Sequence, residues 1–184
     1  AMGRPVQAVR IGTGRRVVCW NGAHHANEWI TTPVLLKFLE DYAQSVVRNG
    51  AVNGQNAQAL FEAVTLHIVP MVNPDGVDLV VGEATGAERQ AAMQMAAHYP
   101  TVPFPDGWKA NLRGVDLNLQ YPVGWEQAKV RKFAEGWTQP GPKNYVGTAP
   151  LEEAESAALY AYTRQISPDC ILAYHTQGME IYWQ

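Results

Sequence analysis

Residues 22–30 read Gly22-Ala23-His24-His25-Ala26-Asn27-Glu28-Trp29-Ile30, and the segments on either side decide what they are. Upstream, Arg16 to Trp20 is an apolar run of strand length. Downstream, Val34, Leu35, Phe38, Leu39, Tyr42, Val46 and Val47 recur at the 3.6-residue spacing of a helix. Thr31-Thr32-Pro33 offers a capping hydroxyl and then proline at the first helical position, and Asn49-Gly50 ends the pattern. The quoted stretch is therefore a loop from a strand end into a helix. Strand ends are where open α/β sheets collect their sites. His25 and Glu28 stand at i and i+3, so on one turn their side chains point the same way and can reach one ion. H-x-x-E without such surroundings describes many unrelated surface residues.

Working outward, Pro5 to Gly12 alternates Val6, Ala8, Val9 and Ile11 with polar residues, which predicts a strand. Gly12-Thr13-Gly14 is a turn signal, so this strand and Arg16–Trp20 are predicted to form a hairpin. A short helix is predicted over Ala57 to Ala63, a strand over Thr65 to Val69 and a turn-rich loop over Pro70 to Gly76. A helix follows from Thr85 to Ala97 and a long loop from His98 to Gly114, the kind of loop that is often functional. Val115 to Leu119 reads as extended. Leu151 to Gln165 reads as a helix, with Glu152, Glu153 and Glu155 in its first turns, where the dipole favours them. Asp169 to Tyr174 reads as a buried strand ending at His175, and Ile181-Tyr182-Trp183 as the start of another. Strands alternating with helices predict an α/β sheet covered on both faces. No repeat or linker divides residues 1–184, so a single domain is expected.

The 184 residues are 47% hydrophobic and 17% charged, enough apolar material for a core, with a formal net charge of -3. No basic block is present, which argues against a nucleic-acid partner. No apolar run reaches the roughly 20 residues of a membrane helix, so membrane insertion is not expected. Ala1 to Pro5 lack the apolar region of a signal peptide, and the compartment stays open. Cys19 and Cys170 both fall in strand-like runs and are expected to be buried thiols rather than a disulfide.

Catalytic zinc commonly takes three protein ligands, and two histidines with one glutamate is a known set. His175, at the end of its strand, is the best candidate for the second histidine. His24 diverges from its neighbour and is expected to be exposed or to act behind the ligands. His67, within a strand, is expected to be a hydrogen-bonded core or edge residue.

These motifs resemble one family. Residues 22–30 are similar to the zinc-ligand motif of the metallocarboxypeptidases, and Val72-Asn73-Pro74-Asp75-Gly76 to the family's N-P-D-G loop. Gly114-Val115-Asp116-Leu117-Asn118 resembles its G-V-D-L-N segment, and Tyr174-His175-Thr176-Gln177-Gly178 the strand end bearing the last ligand. Within the family, the stretches His25 to Pro33, Pro70 to Val77, Trp108 to Asn118 and His175 to Trp183 look most like the bacterial γ-D-glutamyl-meso-diaminopimelate peptidases. The resemblance implies a three-layer αβα domain with a mixed, mostly parallel central sheet. It implies one zinc per chain, held by His25, Glu28 and His175, and a peptidoglycan stem peptide as substrate. Asp116 matches the aspartate that orients the first histidine ligand, a partner such ligands usually have. Read from the residue alone, the less favoured alternative for Asp116 is a turn-capping aspartate. Asn118 matches a substrate-binding asparagine. Lys109 stands where many relatives carry an arginine that polarises the scissile carbonyl, which lysine can do as a point charge. Arg113 is a rival for that role.

Departures from the pattern bear on the substrate. Leu119 stands where ordinary carboxypeptidases have the arginine that grips a free C-terminal carboxylate. Asn27 replaces another arginine, and Gln177, counted among the substrate-binding residues, replaces a tyrosine. The family's general base is a glutamate on a later strand, expected downstream of Gln184, with Glu180 too close to His175 to serve. The sheet is accordingly expected to be incomplete at both ends, the 184 residues to have little peptidase activity of their own, and the open edge near Trp183 to favour self-association. The alternatives are an ordinary zinc carboxypeptidase and a non-catalytic metal- or substrate-binding remnant.

Overall fold

A computed structural model of the chain describes residues 3–181. Its main sheet runs β1 (Val9–Ile11), β5 (Val64–Val69), β2 (Arg16–Asn21), β6 (Cys170–Ala173) in spatial order. Both neighbours of β2 are parallel to it, while β1 joins β5 antiparallel. The sheet is thus mixed and mostly parallel. The predicted hairpin does not form: β1 and β2 are separated by β5, because the Gly12–Gly14 turn carries the chain across that strand rather than back alongside it. The two-stranded sheet seen instead joins β3 (Ala51–Val52) to β4 (Gln55–Asn56). Its two central residues, Asn53 and Gly54, both have positive φ, as tight hairpins require.

Helix α1 (Thr31–Val47) follows β2 and lays Leu35, Phe38 and Leu39 on Leu66, Ile68, Val18 and Trp20. The alternate residues of the strands face the other way. There α6 (Ala154–Ile166) packs Leu159 and Tyr162 with Val69, Val72 and Leu117. A period of two along each strand thus divides the sheet into one face for α1 and one for α6, the predicted αβα layering. α2 (Ala57–Ala63) leads into β5 as expected.

The structure corrects several readings. α1 has no hydroxyl cap: the Thr31 hydroxyl donates to the Glu28 carbonyl, and the Thr32 hydroxyl to the Pro70 carbonyl. Residues 74–76, predicted as loop, instead open a helix, α3 (Pro74–Val81), capped by the Asn73 side chain with proline at its start. α4 (Gly86–Ala96) lies where a helix is predicted, but α5 (Trp125–Ala134) falls where none is. Leu117–Leu119 is a turn of 3-10 helix rather than extended. β6 is an exposed edge among the described residues, not a buried strand. Cys19 is buried, whereas Cys170 is exposed, and both thiols are free. Ile181 is outside regular structure, and the rest of the strand predicted there lies outside the described residues. No helix among the described residues is long and apolar enough to cross a membrane.

Candidate metal centre

The topology brings the predicted ligands together. The chain leaves β2 towards β5, then returns across β2 to pair with it through β6, and Asn21 is in register with Ala173. The loops after Asn21 and Ala173 therefore leave the same edge of the sheet from adjacent parallel strands, where the strand order reverses. His25 stands on the first loop and His175 on the second.

Locally, residues 26–28 form a 3-10 turn, with the Glu28 N–H donating to the His25 carbonyl at 3.1 Å. Side chains at i and i+3 eclipse in such a turn. His25 Nδ1 accordingly lies 3.1 Å from Glu28 Oε1. The other carboxylate oxygen, Oε2, is 2.7 Å from Nδ1 of His175, 147 positions away in sequence. The three side chains offer ligand atoms that all lie within 4.8 Å of one another. Behind His25, Nε2 is 3.4 Å from Asp116 Oδ1. Asp116 also accepts the N–H groups of Asn118 and Asn144, so it caps the 3-10 turn at Leu117 and faces the imidazole at once.

Electrostatics follow from this stacking. Burial disfavours charge on His25, but the close carboxylates of Asp116 and Glu28 outweigh it and raise its pKa to about 9. Burial would likewise lift Glu28 and Asp116, yet the imidazoles hold Glu28 well below the usual carboxylate range, and His25 with two backbone N–H groups does so for Asp116. His24 has the opposite fate. Fully buried, and beside two other imidazoles, its pKa falls to about 3, and its Nε2 lies 2.8 Å from the Tyr121 hydroxyl.

The donor set of two imidazole nitrogens and a carboxylate suits zinc. His25 Nδ1 is buried and makes no hydrogen bond of its own despite its closeness to Glu28, which leaves that nitrogen available to an ion.

Residues 1–184 match the family described as zinc carboxypeptidase. The chain belongs to this family. It is 44% identical over 186 residues to the Bacillus subtilis (strain 168) protein named Uncharacterized protein YqgT, covering 99% of this chain and 48% of that one. It is 39% identical over 182 residues to the γ-D-glutamyl-L-diamino acid endopeptidase 1 of Lysinibacillus sphaericus, covering 99% of this chain and 45% of that protein. The chain therefore spans about half the length of these curated relatives. Among solved structures, carboxypeptidase A of Helicoverpa armigera shares the fold with a TM-score of 0.62 at 20% identity, over 96% of this chain and 39% of that one. Bovine thrombin-activatable fibrinolysis inhibitor, in complex with tick carboxypeptidase inhibitor, gives 0.62 at 18% identity, over 94% and 49%.

Within this zinc carboxypeptidase fold, the His25–Glu28–His175 cluster lies on a cleft of about 820 Å³. Lys109, Asn118 and Gln177 also line it. Lys109 Nζ is 3.7 Å from Glu28 Oε1. Arg113 is placed elsewhere: its Nε is 3.2 Å from Glu153 Oε1, and it is not among the described residues lining the cleft. Sequence reasoning overlooked the buried His24–Tyr121 pair and the side chain of Asn73. Tyr121 carries no motif that points to it. Asn73 stands in a quoted motif, where a cap before proline was the available signal.

Proposed function

We propose that this chain carries the zinc- and substrate-binding face of a peptidase that hydrolyses the γ-D-glutamyl bond to a diamino acid in peptidoglycan stem peptides. The convergence of His25, Glu28 and His175 on a cleft bordered by Lys109, Asn118 and Gln177 carries this reading. The name of the Lysinibacillus relative supports the substrate class.

One zinc is expected per chain, and when bound it supplies a Lewis acid that activates water and polarises the scissile carbonyl. The chain's own residues do the rest. His25 Nδ1, Glu28 and His175 Nδ1 would hold the ion, and Asp116, 3.4 Å from His25 Nε2, would keep the ring proton on that side and leave Nδ1 free for it. Lys109 places a cation beside the cleft, where a carbonyl oxygen gathers negative charge. The amides of Asn118 and Gln177 offer donors and acceptors to a peptide backbone.

An ordinary carboxypeptidase needs a cation to grip a free carboxylate. Among the described residues that line the cleft, Lys109 is the one lysine or arginine, and it lies against Glu28. This favours a substrate anchored otherwise.

The test offers zinc-loaded protein L-Ala-γ-D-Glu-meso-diaminopimelate and, separately, an acylated dipeptide with a free C-terminus. Zinc-dependent binding of the stem peptide is expected, with little turnover by residues 1–184. Preference for the dipeptide would replace this reading by C-terminal trimming, and recognition of neither by a metal-binding module.

A further inference from the structure

We propose that Asn73 is a positioning residue, whose buried amide fixes the loop bearing His25 and Glu28 against the segment bearing Lys109 and thereby sets the affinity of the site for zinc. This rests on the reading of His25, Glu28 and His175 as zinc ligands.

Asn73 is fully buried, and every polar group it has is engaged. Its Nδ2 donates to the His24 carbonyl at 3.1 Å and to the Ala110 carbonyl at 3.0 Å, with the Lys109 carbonyl at 3.5 Å. Its Oδ1 accepts the Gly76 N–H, and its own N–H donates to the Ala23 carbonyl. The amide can sit only one way round, because the reverse would set an oxygen against three carbonyls.

The placement of these bonds matters. The His24 carbonyl belongs to the peptide unit from which His25 emerges. On the other side of His25, the Ala26 N–H donates to the Lys109 carbonyl at 3.0 Å. The ligand is therefore pinned on both sides to a single framework, and Asn73 joins the two halves of it. Space is closed around the clamp as well. A Cβ on Gly76 would stand 2.6 Å from Nδ2 and Oδ1 of Asn73 and from the Ala110 oxygen. Since Asn73 does not line the cleft, it acts through the ligands and not on a substrate.

Asn73→Ser retains a capping oxygen for α3 but cannot reach the His24 and Ala110 carbonyls. Leu79→Ala serves as the control, because Leu79 is buried in the same helix and packs in the apolar cluster with Ala26 and Ala110, but its side chain makes no hydrogen bond to either carbonyl. Zinc affinity is measured by chelator competition, the geometry by the absorption of the cobalt-substituted protein, and folding by thermal melts. Asn73→Ser is expected to weaken zinc about 10- to 100-fold and alter the cobalt bands. Leu79→Ala should lower Tm yet keep zinc affinity within about twofold. Should Asn73→Ser not fold, Gly76→Ala, which strains the clamp without removing it, is expected to show the same loss. A folded Asn73→Ser with wild-type affinity overturns the proposal, as does equal weakening in Leu79→Ala. Wild type that binds no zinc overturns the metal reading itself, and this inference with it.

Discussion

His25 lies between two carboxylates, with Nδ1 3.1 Å from Glu28 and Nε2 3.4 Å from Asp116 on the opposite side of the ring. Glu28 thus stands on the side of the ring proposed to face the ion, and Asp116 on the side away from it. Asp116→Asn keeps an oxygen for the Asn118 N–H but lowers the basicity of the imidazole. It should weaken zinc about 10- to 100-fold and also lower Tm, because its Nδ2 then faces the Asn144 N–H that Oδ2 accepts; chelator competition and thermal melts would record the two effects.

Removing a ligand should do more. His25→Ala and His175→Ala are each expected to leave well below one zinc per chain by elemental analysis, although the two residues come from loops at opposite ends of the sequence. Full retention in His175→Ala would mean that the third ligand has been misassigned.

The stacking of charges carries a pH dependence. The pKa of His25 is raised from 6.5 to about 9 in the folded chain. In the metal-free protein its stabilisation is complete below 6.5 and is lost as pH rises through about 9. Glu28 and Asp116 are shifted downwards, so their contribution is lost in acid. Melts in the presence of chelator should therefore show the highest Tm in mildly acidic buffer. Zinc must displace the His25 proton, so its affinity should climb by up to about tenfold per pH unit over the same alkaline range.

Arg113 and Lys109 should separate cleanly. Glu153 is buried and its carboxyl is pushed up by that burial, with Asn111 and Arg113 opposing the shift. Since the guanidinium is largely exposed, Arg113→Ala should cost about 1 kcal/mol or less and leave zinc affinity unchanged. Lys109→Ala should instead weaken binding of the stem peptide while zinc stays bound, and Lys109→Arg should restore part of it.

Much of this arrangement was legible in the sequence where the signal is local. The periodicity from Val34 to Val47 marks α1, and the i, i+3 spacing of His25 and Glu28 needs no knowledge of the fold. Partner choice is not local. β1 looks like half of a hairpin because only the whole sheet reveals that β5 lies between β1 and β2. Asn73-Pro74-Asp75-Gly76 carries turn and helix-start signals together, and here the cap decided for helix. α5 has sparse apolar positions, with Trp125 buried and Val130 exposed, so its pattern is faint. Cys170 to Ala173 is apolar enough for a core strand. Burial, however, depends on what covers it, and in the described residues it is exposed.

β6 is paired along one side only among the described residues, and it carries His175 at its end. His25 and Glu28 follow the interior strand β2. On the proposed zinc reading, an ion held by all three would act as a cross-link between the loop after β2 and the loop after β6, joining Glu28 to His175 across 147 positions of the sequence.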